Sequence, residues 1–246
     1  MKEKNTLLEK LGRLIELAGT AVLMNLLFLV SCLPIITIGQ AWCGLISAIR
    51  YNIRGDSWFQ GYKDGFKKRF LRGTIVWILL LVVQGYFLLD LNHTVYQTFY
   101  ATEGFTTVYI APMVAAGLMF ALSSMLTVSF LMLNVYIPTK VGTWISNAVG
   151  MVFKAPLPLL GAAVLFAAPV ILAWFWSDIF LLVALIFIGF YFTLAALVIT
   201  MLLKETLIDY LIDARAEGTL LSEEGKSTTK DDKEEEEYED EEIEGE

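Results

Sequence analysis

The chain has 246 residues, 57% of them hydrophobic and only 18% charged, with a mean hydropathy of +0.62. Those values exclude an ordinary soluble domain and point to a polytopic membrane protein. The net charge of −8 comes from the end of the chain: residues 222–246 hold fourteen carboxylates against three lysines, so residues 1–221 carry a net +3.

Residues 1–16 alternate Lys2, Lys4, Lys10 and Arg13 with acidic residues, and Leu7, Leu8, Leu11, Leu14 and Ile15 recur at helical spacing. This predicts an amphipathic helix at the membrane interface leading into the first span. Residues 17–49 then run without a charge between Glu16 and Arg50. One helix needs about 20 residues to cross a bilayer, so the run is too long for one span and short for two. Near its middle, Pro34 removes a backbone donor, and Gly39 frees the backbone again. Between them Ile35, Ile36, Thr37 and Ile38 are β-branched, which favours an extended conformation. The reading is a hairpin with arms at 17–33 and 40–53, broken over 34–39, the second arm short. Ala41, Gly44 and Ala48 give that arm a small-residue face suited to packing on the first. Leu29-Val30-Ser31-Cys32 fits a lipoprotein processing motif, but Pro34 and a long apolar continuation follow it, which favours an uncleaved hairpin.

A basic loop comes next, with Arg50, Arg54, Lys63, Lys67, Lys68, Arg69 and Arg72. Within it Phe59, Tyr62, Phe66 and Phe70 recur along one face of a helix predicted near 58–72. Aromatics on one face with cations off it mark an amphipathic helix on an anionic leaflet, or a docking surface for a partner protein; Phe59, Tyr62, Phe66, Lys67, Lys68, Arg69 and Phe70 would form it. Gly61 and Gly65 weaken that helix, so it must lean on the membrane or on neighbouring helices.

Further spans are expected near 73–89, 113–135, 155–176 and 179–203. A polar loop at 90–107 and a two-residue turn, Ser177-Asp178, would connect them on the far side, and Pro169 predicts a kink in the fifth. Counting the hairpin twice gives an all-α protein of about six segments. All eighteen Lys and Arg then fall on one face, which places both termini in the cytoplasm of a bacterial cell. A faint repeat relates 40–89 to 113–176: each is a helix, a loop with a tryptophan (Trp58, Trp144) and a lysine ten residues on (Lys68, Lys154), then a helix. The acidic tail 222–246 cannot bury enough apolar surface to fold and is expected to be disordered.

The string at 25–41, Asn-Leu-Leu-Phe-Leu-Val-Ser-Cys-Leu-Pro-Ile-Ile-Thr-Ile-Gly-Gln-Ala, together with the aromatic and basic spacing of 59–70, resembles the YesL family of bacterial membrane proteins. That family has no established activity. Its members are often encoded beside carbohydrate ABC transporters and sensor kinases, so the resemblance implies a supporting role in sugar uptake or sensing.

No ionisable group stands in the middle of any expected span, which argues against proton- or ion-coupled transport. With a single histidine, His93, and no clustered carboxylates in the body, neither catalysis nor a metal or cofactor site is expected. The basic loop lies beside a span among interfacial aromatics, so lipid rather than nucleic acid is its expected polyanion. Asn25, Gln40, Gln84 and Asn134 are the buried polar residues that could line a cavity, with Pro34, Thr37 and Gly39 forming the structural break. The alternative to an accessory role is a stand-alone facilitative transporter or channel, which would need a polar path across the bundle.

Overall fold

The structure is a computed structural model, which describes residues 2–100, 107–137, 139–175 and 187–216, with side chains described for residues 16–100, 108–137, 139–174 and 189–213. The acidic tail, the Ser177-Asp178 turn and the side chains of the first fifteen residues lie outside the described set.

Nine helices are described: α1 (Lys2–Ser31), α2 (Ile38–Arg54), α3 (Trp58–Lys67), α4 (Phe70–Phe99), α5 (Ile110–Tyr136), α6 (Val141–Lys154), α7 (Pro156–Phe175), α8 (Phe192–Leu202) and α9 (Lys204–Ala216). No strand is present among the described residues, so the all-α expectation holds. Three helices, α4, α5 and α7, are long and apolar enough to cross a membrane, and α8 with α9 would add a fourth as a span bent by 55°. The six-segment count is thus not reached among the described residues. The apolar part of α1 is only Glu16–Ser31 and α2 is only 17 residues long, so neither hairpin arm has the length of a full span.

The surroundings of α2 also differ from expectation. Every residue from Gly39 to Ile49 is buried, so this helix is enclosed by protein rather than lipid. Gly44 of its small-residue face meets Tyr62 of α3. A Cβ on Gly65 would stand 2.5 Å from the Ser47 Cβ and 2.7 Å from the Cys43 carbonyl oxygen, and one on Gly61 would collide with the Tyr51 ring. The glycines that weaken α3 as an isolated helix let it lie against α2 at backbone distance. The turn between the two helices is made by Gly55 at φ 85, a left-handed position that glycine occupies without penalty.

The helix expected at 58–72 is two helices. The chain reverses at Arg69, which takes a left-handed φ of 52, and α4 starts at Phe70. At its other end α4 outlasts its predicted span and runs through the expected polar loop as far as Phe99. Thr94 and Thr98 allow this: each hydroxyl donates to a carbonyl one turn back, Asp90 and Thr94 respectively, so the polar residues satisfy themselves within the helix. At the standard rise α4 is about 45 Å long.

The main core gathers Met24 and Phe28 of α1, nearly all of α2, the inner face of α5 from Met125 to Leu133, and Trp144, Leu159, Ala196 and Leu203. A smaller cluster of Leu88, Phe120 and Ala167 lies further from the basic residues.

Candidate functional site

The break between α1 and α2 exposes carbonyls that no helical partner can reach, which a membrane tolerates only if other groups reach them. Pro34 is extended (φ −80, ψ 120) as the sequence suggests, but Ile35–Thr37 form a 3-10 turn rather than an extended strand. Thr37 supplies the reason. Its hydroxyl lies 2.6 Å from the Ser31 carbonyl and 2.7 Å from that of Pro34, binding the last turn of α1 to the first of α2. The Trp77 indole N–H donates to the Ile35 carbonyl at 3.1 Å. Gly39 is required by the same residue, because a Cβ there would sit 2.7 Å from the Trp77 side chain. Trp77 is seven residues into α4, about 10 Å at the standard rise, so the break between α1 and α2 lies beside the first part of α4, well short of its far end. Leu33, Ile35 and Ile36 are exposed at its tip.

Of the four polar residues expected to line one cavity, Gln40 and Asn134 alone converge. The Gln40 amide donates to the Phe70 carbonyl at 2.9 Å, and the Asn134 amide approaches the Cys43 sulfur at 3.6 Å. Gly73 makes room for both: an added Cβ would collide with Gln40 and come within 3.2 Å of Asn134. Two arginines close this region. Arg69 Nη1 donates to the Asn134 carbonyl and Arg72 Nη1 to that of Thr139, both at 2.8 Å. The first is a cation on the last carbonyls of α5, where the helix dipole favours it. Arg72 also lies 3.7 Å above the Trp144 ring, a close cation–π contact. The amide oxygens of Gln40 and Asn134 and the Arg72 Nε have no hydrogen-bond partner among the described residues, so the polarity of this corner is only partly satisfied there.

Gln84 sits elsewhere, at the middle of α4, and donates to the Thr127 hydroxyl at 2.9 Å. Asn25 is separate again: its side-chain oxygen accepts from the Thr193 N–H at 3.1 Å, while the Thr193 hydroxyl donates to the Ala21 carbonyl. That N–H follows the π-helical turn Phe187–Tyr191, where the helical ladder changes register and a donor is freed.

Between these positions lies a cavity of about 320 Å³ lined by Phe28, Cys32, Trp42, Trp77, Gln84 and Phe166 among others. Its wall is almost wholly apolar. Pro169 also faces it, and the carbonyl that this proline leaves unbonded one turn earlier, Leu165, accepts the Tyr191 hydroxyl at 2.6 Å. The proline expected to kink a span is here tied to a neighbouring helix. Both cysteines are free, Cys43 fully buried and Cys32 half-buried.

The surface set divides too. Tyr62 is buried against Gly44 and Phe66 packs on the core, so the aromatic stripe of α3 faces α2 instead of a leaflet or partner. Burial pushes the Tyr62 hydroxyl above its usual range. Phe59, Lys67 and Lys68 stay exposed, while Arg69 and Phe70 are half-buried at the start of α4. Sequence reasoning overlooked Trp77, Trp144 and Tyr191 as partners of broken backbone and of Arg72. A signal existed for Trp77 and Tyr191: each carries a polar tip within an apolar run, and such a tip needs a partner when buried, whereas Trp144 meets Arg72 through its ring face.

Residues 21–91 match the profile of a family described as protein of unknown function, DUF624. That stretch runs from the apolar half of α1 through the break, α2 and α3 to most of α4. No curated protein and no solved structure shows significant similarity to the chain.

Proposed function

We propose that this is a non-catalytic accessory component of the bacterial cytoplasmic membrane, with both termini and the basic end of the bundle in the cytoplasm. Its α1–α2 hairpin is re-entrant, entering and leaving on the cytoplasmic side. The observation that carries the accessory reading is the dispersal of the buried polar residues. Gln84, Asn25 and the Gln40–Asn134 pair sit in three separate places, each joining helices, and the cavity among them is apolar. A facilitative conduit for a sugar or ion would need those groups to face one continuous lumen. The YesL-like string at 25–41 directs the proposal towards carbohydrate uptake or its sensing, with an ABC transporter or a sensor kinase as the partner. Phe59 and Lys67 on the outer side of α3 are exposed members of the expected docking set and suit that partner or the anionic leaflet.

The test joins a genetic and a reconstituted measurement. Deleting the gene should lower uptake of, or signalling by, one class of carbohydrate, whereas the purified protein in liposomes should leave imposed sugar gradients intact. Saturable sugar flux through the purified protein alone would replace the accessory reading with the facilitative one. Orientation is tested separately by Asn5→Cys in a background lacking Cys32 and Cys43. An impermeant thiol reagent should fail to label it in intact cells, and labelling from outside would reverse the topology.

A further inference from the structure

Two cavities meet at the basic end of the bundle and share one wall, formed by Arg50, Arg54 and Tyr136. The first, of about 270 Å³, is predominantly polar and adds Lys68, Ser47 and Asp64. Among the described residues, Arg50, Arg54 and Lys68 line it together with Asp64, whose carboxylate accepts from the Tyr51 hydroxyl at 3.2 Å and the Gln60 amide at 2.9 Å. The second, of about 420 Å³, is chiefly apolar: Ile53, Met201, Leu207, Ile208 and Leu211 line it, with Lys204 at its edge. It opens where α8 bends into α9, and Ile53, Met201 and Ile208 on its wall are exposed.

An apolar slot and a cationic pocket separated by two arginines have the form of an amphiphile site. Arg50 and Arg54 are one helical turn apart on α2, so both guanidinium groups rise from the same face between the two cavities. We propose that this double cavity binds one anionic phospholipid of the inner leaflet. Its phosphate is held by Arg50, Arg54 and Lys68, and an acyl chain lies in the slot between α2 and the α8–α9 bend. Guanidinium groups suit phosphate geometry, and basic pockets between membrane helices hold acidic headgroups in this way. The ordinary role of two arginines in the last turns of α2 is to complement its dipole, and Arg50 also stacks on the Tyr136 ring at 5.0 Å. Neither role accounts for the apolar slot beside them. The proposal is independent of which partner the protein serves.

The experiment uses the full chain in mild detergent, titrated with three short-chain probes: dioctanoyl phosphatidylglycerol, dioctanoyl phosphatidylcholine and glycerol 3-phosphate. Thermal unfolding and native mass spectrometry read the result. Phosphatidylglycerol should raise the unfolding temperature and remain bound one per chain, with phosphatidylcholine and glycerol 3-phosphate at least tenfold weaker. Arg54→Gln, at an exposed position, should weaken phosphatidylglycerol about fivefold, and Arg54→Lys should restore part of the loss. Ile208→Trp, which fills the slot, should weaken the lipid while leaving the lipid-free unfolding temperature unchanged. Equal binding of phosphatidylcholine would reduce the site to a generic lipid contact and overturn the proposal. Equal binding of glycerol 3-phosphate would make it a soluble phosphate site and overturn it as well. If Arg54→Gln unfolds like the unsubstituted chain without lipid and binds phosphatidylglycerol just as tightly, the arginines do not hold the phosphate.

Discussion

The segments α2–α3–α4 and α5–α6–α7 share one plan, a helix, a short helix folded back at the basic end, and a long helix away from it, yet they are packed by different means. In the first, α3 lies on α2 through Gly61 and Gly65 so closely that a methyl group would strike Ser47 and the Cys43 backbone. In the second, α6 turns on Trp144, which is buried beneath Arg72 and edge-on to Phe130 at 4.9 Å. Trp58, its counterpart by repeat position, is only half-buried. One half is thus joined by small residues that let backbones meet, the other by a large ring that fills the gap between helices. The contrast teaches that a shared hydropathy pattern fixes the order of elements but not how they are held together. The match to DUF624 falls on the glycine-joined half and ends before α5.

Gly65→Leu tests the first means and should have the largest effect. Backbone lies in the way, so α3 must lift from α2, at about 3 kcal/mol or more; unfolding in graded detergent–denaturant mixtures would read it. A loss under about 0.5 kcal/mol would show that the two helices are not in intimate contact. Arg72→Lys should come second, at about 2 kcal/mol, since it keeps the charge but loses the planar stack on Trp144. A double-mutant cycle with Trp144→Leu should return coupling of about 1 kcal/mol, and additivity would deny that the two residues join the halves. Thr37→Val follows, at about 1 kcal/mol, by leaving the Ser31 carbonyl without its donor. Gln84→Leu should cost about 0.6 kcal/mol, as polar pairs between membrane helices generally do. Gly142→Ala is the smallest: nothing lies within 4 Å of its added methyl, and a neutral or slightly stabilising result is expected, in sharp contrast with Gly65.

Much of this organisation was legible in the sequence because it follows from local rules. Pro34 and the residues after it placed the break within a few positions, the span expected from residue 155 matches the start of α7 at Pro156, and the succession of apolar runs gave the all-α class. Three things were not legible. The reach of α4 beyond residue 89 depends on threonines bonding within their own helix, and polar composition alone reads as a loop. The choice of partner for the small face of α2 depends on whether α1 or α3 approaches closely enough, and both candidates offered compatible surfaces. The polar residues were read as one set because each is isolated in an apolar run, whereas their grouping depends on helix azimuth and depth, which no local pattern carries. Tyr62 and Phe66 were misplaced for a related reason: a helical stripe of aromatics looks alike whether it faces lipid or another helix.

The bond between Asn25 and Thr193 joins residues 168 positions apart, and α2 is enclosed in part by α5 and α8, both made after it. The α1–α2 segment that opens the family-matched region therefore emerges from the ribosome long before its enclosure exists. Until α8 arrives, the Thr193 N–H is not there for Asn25 to accept, and the polar side chains of α2 stand where lipid or headgroups can reach them. Assembly of this protein is accordingly a late, whole-chain event, in which the first-made part waits for the last-made. A chain halted after α7 would hold every residue of the break and of the glycine-packed pair and still present an unfinished surface to the quality-control proteases of its membrane.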